Sequence, residues 1–365
     1  MQLPGIWQYY DAENTPLSLG MRVGALATGP GGQVWVEVVQ PLVSDIGVFR
    51  YYDAQTKGIM LYDNGNWTLF QLAQMDLPQP MGTVDLACDH AGYLWVHLAP
   101  SPGTSVLCRF HGETSTLYQG HDTGLPSDMG TLKGFASDRE DRFWAAMGSL
   151  GAYYFNGVRW HRFDKADCFP EGGWVSGIAS DEANQLWFGL QSKAESLFIQ
   201  YVDGHCKLIT TAPIGYERAQ IGALAIDSNG NLWVGWYDWS GKSRLGLWVW
   251  STLAGKWTKY TSRNSAIADD QVSDIAFDSA GRTWVVTAGG LTIIDGKDSV
   301  SWGAIVPGIQ HRPISQEEAS PLMDEAIMKG EPPPFVFIGG KVASDSRGNI
   351  WTTSANGVAV FSRTA

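Results

Sequence analysis

Short runs of alternating apolar and polar residues, separated by turn residues, recur along the whole chain. One phrase returns seven times: an alternating strand, a tight turn, then an apolar strand carrying Trp35, Trp95, Trp144, Trp187, Trp233, Trp284 or Trp351. The clearest copies are LAIDSNGNLWVGW (224–236), IAFDSAGRTWVVT (275–287) and VASDSRGNIWTTS (342–354). Weaker ones are LACDHAGYLWVHL (86–98), FASDREDRFWAAM (135–147) and IASDEANQLWFGL (178–190). The first, LATGPGGQVWVEV (26–38), has Gly29 in place of Asp. Each copy predicts a hairpin, because Asp caps a turn through its own backbone and Gly takes the left-handed position. Ala stands two residues before the Asp in every copy that has one, as a strand crowded near an axis requires.

A second pair of strands follows each Trp hairpin. GAYYFNGVRWHRF (151–163) shows an aromatic strand, an Asn-Gly turn and a W-x-x-F strand; LYDNGNWTLF (61–70) and GLWVWSTLAGKWTKY (246–260) repeat the form. Four short strands per unit are a propeller blade. The Trp-to-Trp intervals are 60, 49, 43, 46, 51 and 67, and joining the chain ends adds a seventh of 49. Propeller repeats run to about 40–50 residues. The last unit supplies three strands, ending at GVAVFS (357–362), while GIWQYYD (5–11) has the form of an outer strand. The pattern therefore predicts an all-β, seven-bladed propeller of four-stranded antiparallel blades. It is a single domain over 1–365, closed when the N-terminal strand completes the last blade. Closure leaves no long exposed sheet edge.

The two long intervals mark insertions at about 39–58, in blade 1, and 303–338, between blades 6 and 7. The second contains SQEEASPLMDEAIMKG (315–330), which reads as a short helix stopped by Pro332, Pro333 and Pro334.

The formal net charge of -12 argues against nucleic acid and anionic membranes, which are bound through basic surfaces. No apolar run approaches the roughly 20 residues of a membrane helix. The opening MQLPGIWQYY lacks the regions of a signal peptide. The sequence therefore does not set the compartment. Cys88, Cys108, Cys168 and Cys206 form no CxxC pair, and Cys88 and Cys108 fall on non-adjacent strands of one blade. They read as free, buried thiols.

The unit D-S-x-G-N-L-W-V-G followed by a GL-aromatic strand, best seen in DSNGNLWVGW (227–236) and DSRGNIW (345–351), resembles the two-component regulator propeller repeat. Streptogramin-lyase-like propellers are a more distant resemblance. The resemblance covers all seven units, with units 1 and 3 degenerate. It implies a sensor propeller of a kind often found outside the cytoplasm.

In such a blade the long connections share one face. The richest there is WYDWSGKSR (236–244) of blade 5. Trp236, Tyr237 and Trp239 suit stacking on a flat ligand; Asp238, Lys242 and Arg244 suit charged hydrogen bonds. Tyr216, Glu217, Arg218, Asp269 and Asp270 lie on neighbouring loops. The bland reading is that these tryptophans pack against loops. Three other sets bear weighing. His97, His121 and His311 share the face but lack metal-ligand spacing. Glu37, Glu195 and the loop carboxylates could serve a glycosidase pair. Asp274 and Lys341 hold equivalent positions on adjacent innermost strands and read as a structural pair. The resulting expectation is a monomeric binding or sensing module for a carbohydrate-like or small-molecule ligand, or a protein partner. No cofactor, metal or nucleic acid is expected. The alternative is a propeller enzyme of lyase or glycoside-cleaving class using carboxylates or His on the same face.

Overall fold

The computed structural model describes residues 6–41, 54–72, 85–101, 104–111, 114–127, 132–138, 140–163, 173–181, 185–215, 219–238, 245–296, 298–302, 336–354 and 357–362. It also describes positions 129, 168–169, 217, 304–305 and 313–314. The repeated phrases form seven antiparallel sheets arranged as a β-propeller, four strands to a blade. The innermost strands are Arg22–Thr28, Asp85–Cys88, Gly134–Ser137, Trp174–Ser180, Gln220–Ile226, Val272–Phe277 and Val336–Ser344. In blade 7 the outer strand is Ile6–Tyr10, antiparallel to Gly357–Ser362 with Trp7 opposite Phe361. The ring closes as the sequence predicts.

The Asp-to-Trp phrase folds the same way in each blade that has it. In blade 6, Asp278 Oδ1 accepts the backbone N–H groups of Ala280 and Arg282. Its Oδ2 accepts Arg282 Nε at 2.6 Å and the indole N–H of Trp284 at 2.9 Å. The Asp–indole bond recurs at Asp89–Trp95, Asp138–Trp144, Asp181–Trp187, Asp227–Trp233 and Asp345–Trp351. One carboxylate thus caps the turn and fixes the Trp rotamer. The position that favours glycine is held by Gly230, Gly281 and Gly348, with φ of 74°, 78° and 80°, and in blade 3 by Asp141.

The Trp rings make the core between blades. Trp95 stacks on Phe143 of blade 3 at 4.7 Å, and Trp144 packs on Phe188 of blade 4. Trp284 lies between Trp7 and Phe361 of blade 7, and Trp351 packs with Val23, Val34 and Val36 of blade 1. Each blade therefore buries its apolar face on the next, at roughly 1.5–3 kcal/mol per large side chain.

The blade 1 insertion begins as a lengthened hairpin, with Val39, Gln40 and Pro41 pairing Thr56, Gln55 and Ala54. From the second insertion, Ala304–Ile305 pairs with both Pro313–Ile314 and Val336–Phe337, widening the inner side of blade 7. The helix expected at 315–330 lies outside the described residues. The cysteines require a correction: Cys168 and Cys206 form a disulfide, with Cα atoms 5.3 Å apart. The connection into blade 4 folds back beside that blade's outer strand, a proximity invisible at a sequence separation of 38. Cys88 and Cys108 are free thiols, and burial pushes each up to about 12.

Candidate functional site

In six of the seven sheets the innermost strand ends the strand order. One edge of its backbone therefore faces the axis rather than another strand. Near the long-connection face five of these strands share an irregularity, while those of blades 2 and 3 pair in regular register. The register slips between Val23 and Leu26, Val175 and Gly177, Ile221 and Ala223, Val272 and Asp274, and Ile338 and Val342. A bulge re-aims the side chains beside it. The innermost strands surround a central cavity of about 390 Å³.

The wall of this cavity is uneven. Blades 4 and 5 contribute Ser176, Gly177, Gly222 and Ala223 together with Ile178, Ile221 and Leu224, and the two glycines sit tight against the next blade. The rest of the ring carries four charged residues, Asp85 from blade 2, Lys133 from blade 3, Asp274 from blade 6 and Lys341 from blade 7. Asp274 Oδ1 accepts the N–H of Ile275 at 3.0 Å and Oδ2 that of Val342 at 2.9 Å. Enclosure still holds its carboxyl above the usual range; the charge of Lys341 and these two bonds oppose the rise, and Asp85 adds to it. Burial lowers Lys133, against the pull of Asp85. His97, directly across the strand pair from Asp85, donates to or accepts from Ser105 Oγ at 2.9 Å, and burial lowers it too.

Lys133 joins this cavity to the blade 5 loop. Its side chain leaves blade 3, passes 5.7 Å from the Trp174 ring of blade 4, and meets Gln220 Oε1 of blade 5 at 3.4 Å. Gln220 is the strand partner of Tyr237. Tyr237, half-buried, and Asp238 thus begin directly beside the cavity mouth. The Asp238 N–H donates to Gln271 Oε1 at 2.7 Å. Asp270 Oδ1 accepts the Ser262 N–H at 2.6 Å, and its backbone carbonyl accepts that of Gly246. Trp236 is fully buried in the core between blades 4 and 5, so it packs rather than stacking on a ligand. Trp239, Arg244, Lys242, Tyr216 and Arg218 lie outside the described residues.

The remaining candidates separate. Glu37 is buried and accepts the Ala25 N–H and the Thr56 hydroxyl. Asp269 caps the Gln271 N–H. Glu195 and Glu217 are exposed on the rim. His121 is exposed in a short 3-10 turn away from the buried His97, and His311 lies outside the described residues. Among the described residues no group of three His, Cys, Asp or Glu stands close enough to hold a metal. Sequence reasoning singled out Asp274 and Lys341 but missed Asp85 and Lys133 as parts of the same cavity, and Gln220 as the partner of Lys133. The available signal was position: charge two or three residues before the motif Ala, where other blades have Gly, Ala or Ser.

No family profile and no curated protein sequence matches the chain. Solved structures do. The extracellular domain of the hybrid two-component system BT4673 from B. thetaiotaomicron superposes with a TM-score of 0.61 at 13% identity. The match covers 100% of this chain and 40% of the sensor, so the chain spans two-fifths of that protein's length. Streptogramin B lyase matches with a TM-score of 0.60 at 13% identity, over 99% of this chain and 98% of the lyase. YCF48 bound to a D1 peptide matches over 100% of both chains, with a TM-score of 0.57 at 11% identity. At such identities the likeness is one of fold. No helix among the described residues is long and apolar enough to cross a membrane.

Proposed function

We propose that this propeller is a recognition module that binds its ligand in the central channel, entering from the long-connection face. The observation that carries this is the cavity of about 390 Å³ whose polar groups converge from four blades. Its size falls within the roughly 300–1,000 Å³ of small-molecule sites. Two of the carboxylates on the face, Glu37 and Asp270, each accept a backbone N–H. Sensor and peptide-bound propellers are among the matching structures, which fits the reading without identifying the ligand.

One observation favours the enzymatic alternative. Asp274 raised and Lys133 lowered in one cavity is the kind of displacement that acid–base chemistry uses. A single experiment separates the two. Purified protein is screened by thermal shift against oligosaccharides, sugars and small metabolites, and every hit is recovered and analysed by mass spectrometry. A ligand at a hundredfold excess over its Kd stabilises the native state by ~2.7 kcal/mol. Recognition predicts a saturable rise in Tm with the ligand recovered unchanged, and loss of the rise in Lys133→Met. A consumed ligand establishes the enzyme, and no shift with any compound removes the channel-binding reading.

A further inference from the structure

The charge pattern of the cavity goes further than its volume. Two carboxylates, Asp85 and Asp274, and two ammonium groups, Lys133 and Lys341, line one half-open cavity. Asp274 is locally compensated: it holds two backbone N–H groups and feels Lys341. Asp85 is the hub, its field reaching Lys133, His97 and Asp274. Lys133 lies across the mouth, held by a long contact to Gln220 and by the Trp174 ring. A cation from blade 3 and an anion from blade 2 therefore border the same cavity beside the wall of blades 4 and 5.

We infer that the cavity takes a small zwitterion, an amino acid or a close analogue, with the ligand carboxylate on Lys133 Nζ and its ammonium on Asp85. The inference rests on the recognition reading above and names its ligand class. Charge balance is the physical reason. The formal charges in the cavity cancel, and an unpaired charge in an enclosed site is costly. A lone carboxylate would take Lys133 but face Asp85, and a lone amine the reverse. A zwitterion satisfies both and leaves the balance unchanged. The ligand's side chain then points toward the blade 4 and 5 side, where Ser176 lies beside the apolar Ile178, Ile221 and Leu224, and the innermost backbone edges supply further polar contacts.

The test is isothermal titration calorimetry on the full chain at low salt. The probes are the twenty standard L-amino acids, with propionate and propylamine as half-ligands and glucose and xylose as neutral compounds. At least one amino acid should bind saturably. Each half-ligand should bind it about 10–100-fold more weakly, the factor that loss of one charge-assisted hydrogen bond gives. Lys133→Met and Asp85→Asn should each weaken the amino acid by a similar factor while unfolding with wild-type cooperativity. Asp85→Asn keeps the shape, so a folded variant is available even if Lys133→Met is not. Absence of heat with all twenty amino acids overturns the inference, as does a half-ligand binding as tightly as the whole. If glucose or xylose binds and the amino acids do not, the recognition reading survives and the zwitterion is excluded. If none of these probes binds and the wider screen is also silent, both fall.

Discussion

Asp274 Oδ2 accepts the backbone N–H of Val342 at 2.9 Å, so a carboxylate of blade 6 is tied to the innermost strand of blade 7. This bond crosses a blade boundary at the wall of the central cavity. It couples the integrity of the ring to a group that also faces the candidate ligand.

The coupling has a pH signature. Enclosure raises the Asp274 carboxyl above its ordinary 3.8. The folded state then binds a proton that the unfolded state has released, so this group's contribution to stability falls as pH rises from about 4 through the raised value. Asp274→Asn removes that dependence. The stability difference between variant and wild type should move in favour of the variant between pH 4 and pH 7. Urea denaturation across that range reads it; a parallel pair of curves would show an unshifted carboxyl.

Asp278 works in the opposite direction. Burial raises its carboxyl, but the bonds from Trp284 and Arg282 together outweigh burial and hold it below 3.8. Its stabilisation is present above the unfolded value and is lost as pH falls through the depressed one. Trp284→Phe breaks the indole bond, whereas Trp35→Phe in blade 1 breaks none of this type, since Gly29 replaces the Asp. The Trp284 change should cost more by about 1–3 kcal/mol at neutral pH, the range for hydrogen bonds to charged groups. Paired urea midpoints at equal m-value test this; equal losses would mean that ring packing alone sets the cost.

Ring closure rests on Trp7, which is 6% exposed and packs on Trp284 and Phe361. Trp7→Ala should cost about 3–5 kcal/mol, typical of aromatic truncation in a core. Hydrogen exchange should rise first in Gly357–Ser362, the strand paired with the N-terminal one.

The disulfide makes a countable prediction. Denatured but unreduced protein should present two alkylatable thiols, Cys88 and Cys108, and four after reduction. Reduction should lower stability by ~2–4 kcal/mol. Disulfides persist in oxidising compartments, so protein made in a reducing cytosol should show all four thiols until oxidised.

The fold was legible because six blades repeat one local instruction, with variations at the turn position, and blade 1 keeps its spacing with Gly29 in place of the Asp. Asp, a turn Gly and Trp six residues after the Asp specify a hairpin whose hydrogen bonds close within a few residues, as at Asp345 and Trp351. The periodicity of two then tells which face meets the next blade. The missing fourth strand of blade 7 could be found at Ile6–Tyr10 because strand count and spacing are properties of the chain. The candidate site was half legible. Of the blade 5 loop, Tyr237 pairs with Gln220, which Lys133 contacts. Trp236 was indistinguishable in sequence from an exposed ring, because its burial is set by residues of blade 4 such as Phe198 and Ala212.

The sequence by itself determined the blade, the number of blades and the way the ring closes, since these follow from contacts between neighbours in the repeat. Only the tertiary structure decided which residues share the channel. Asp85, Lys133, Asp274 and Lys341 come from four blades and line one cavity because the ring returns on itself and brings its innermost strands around a common axis. Cys168 and Cys206 met for a related reason, the fold-back of a connection against an outer strand. Both arrangements depend on distances across the closed ring or between connection and blade, and no periodicity along the chain encodes those distances.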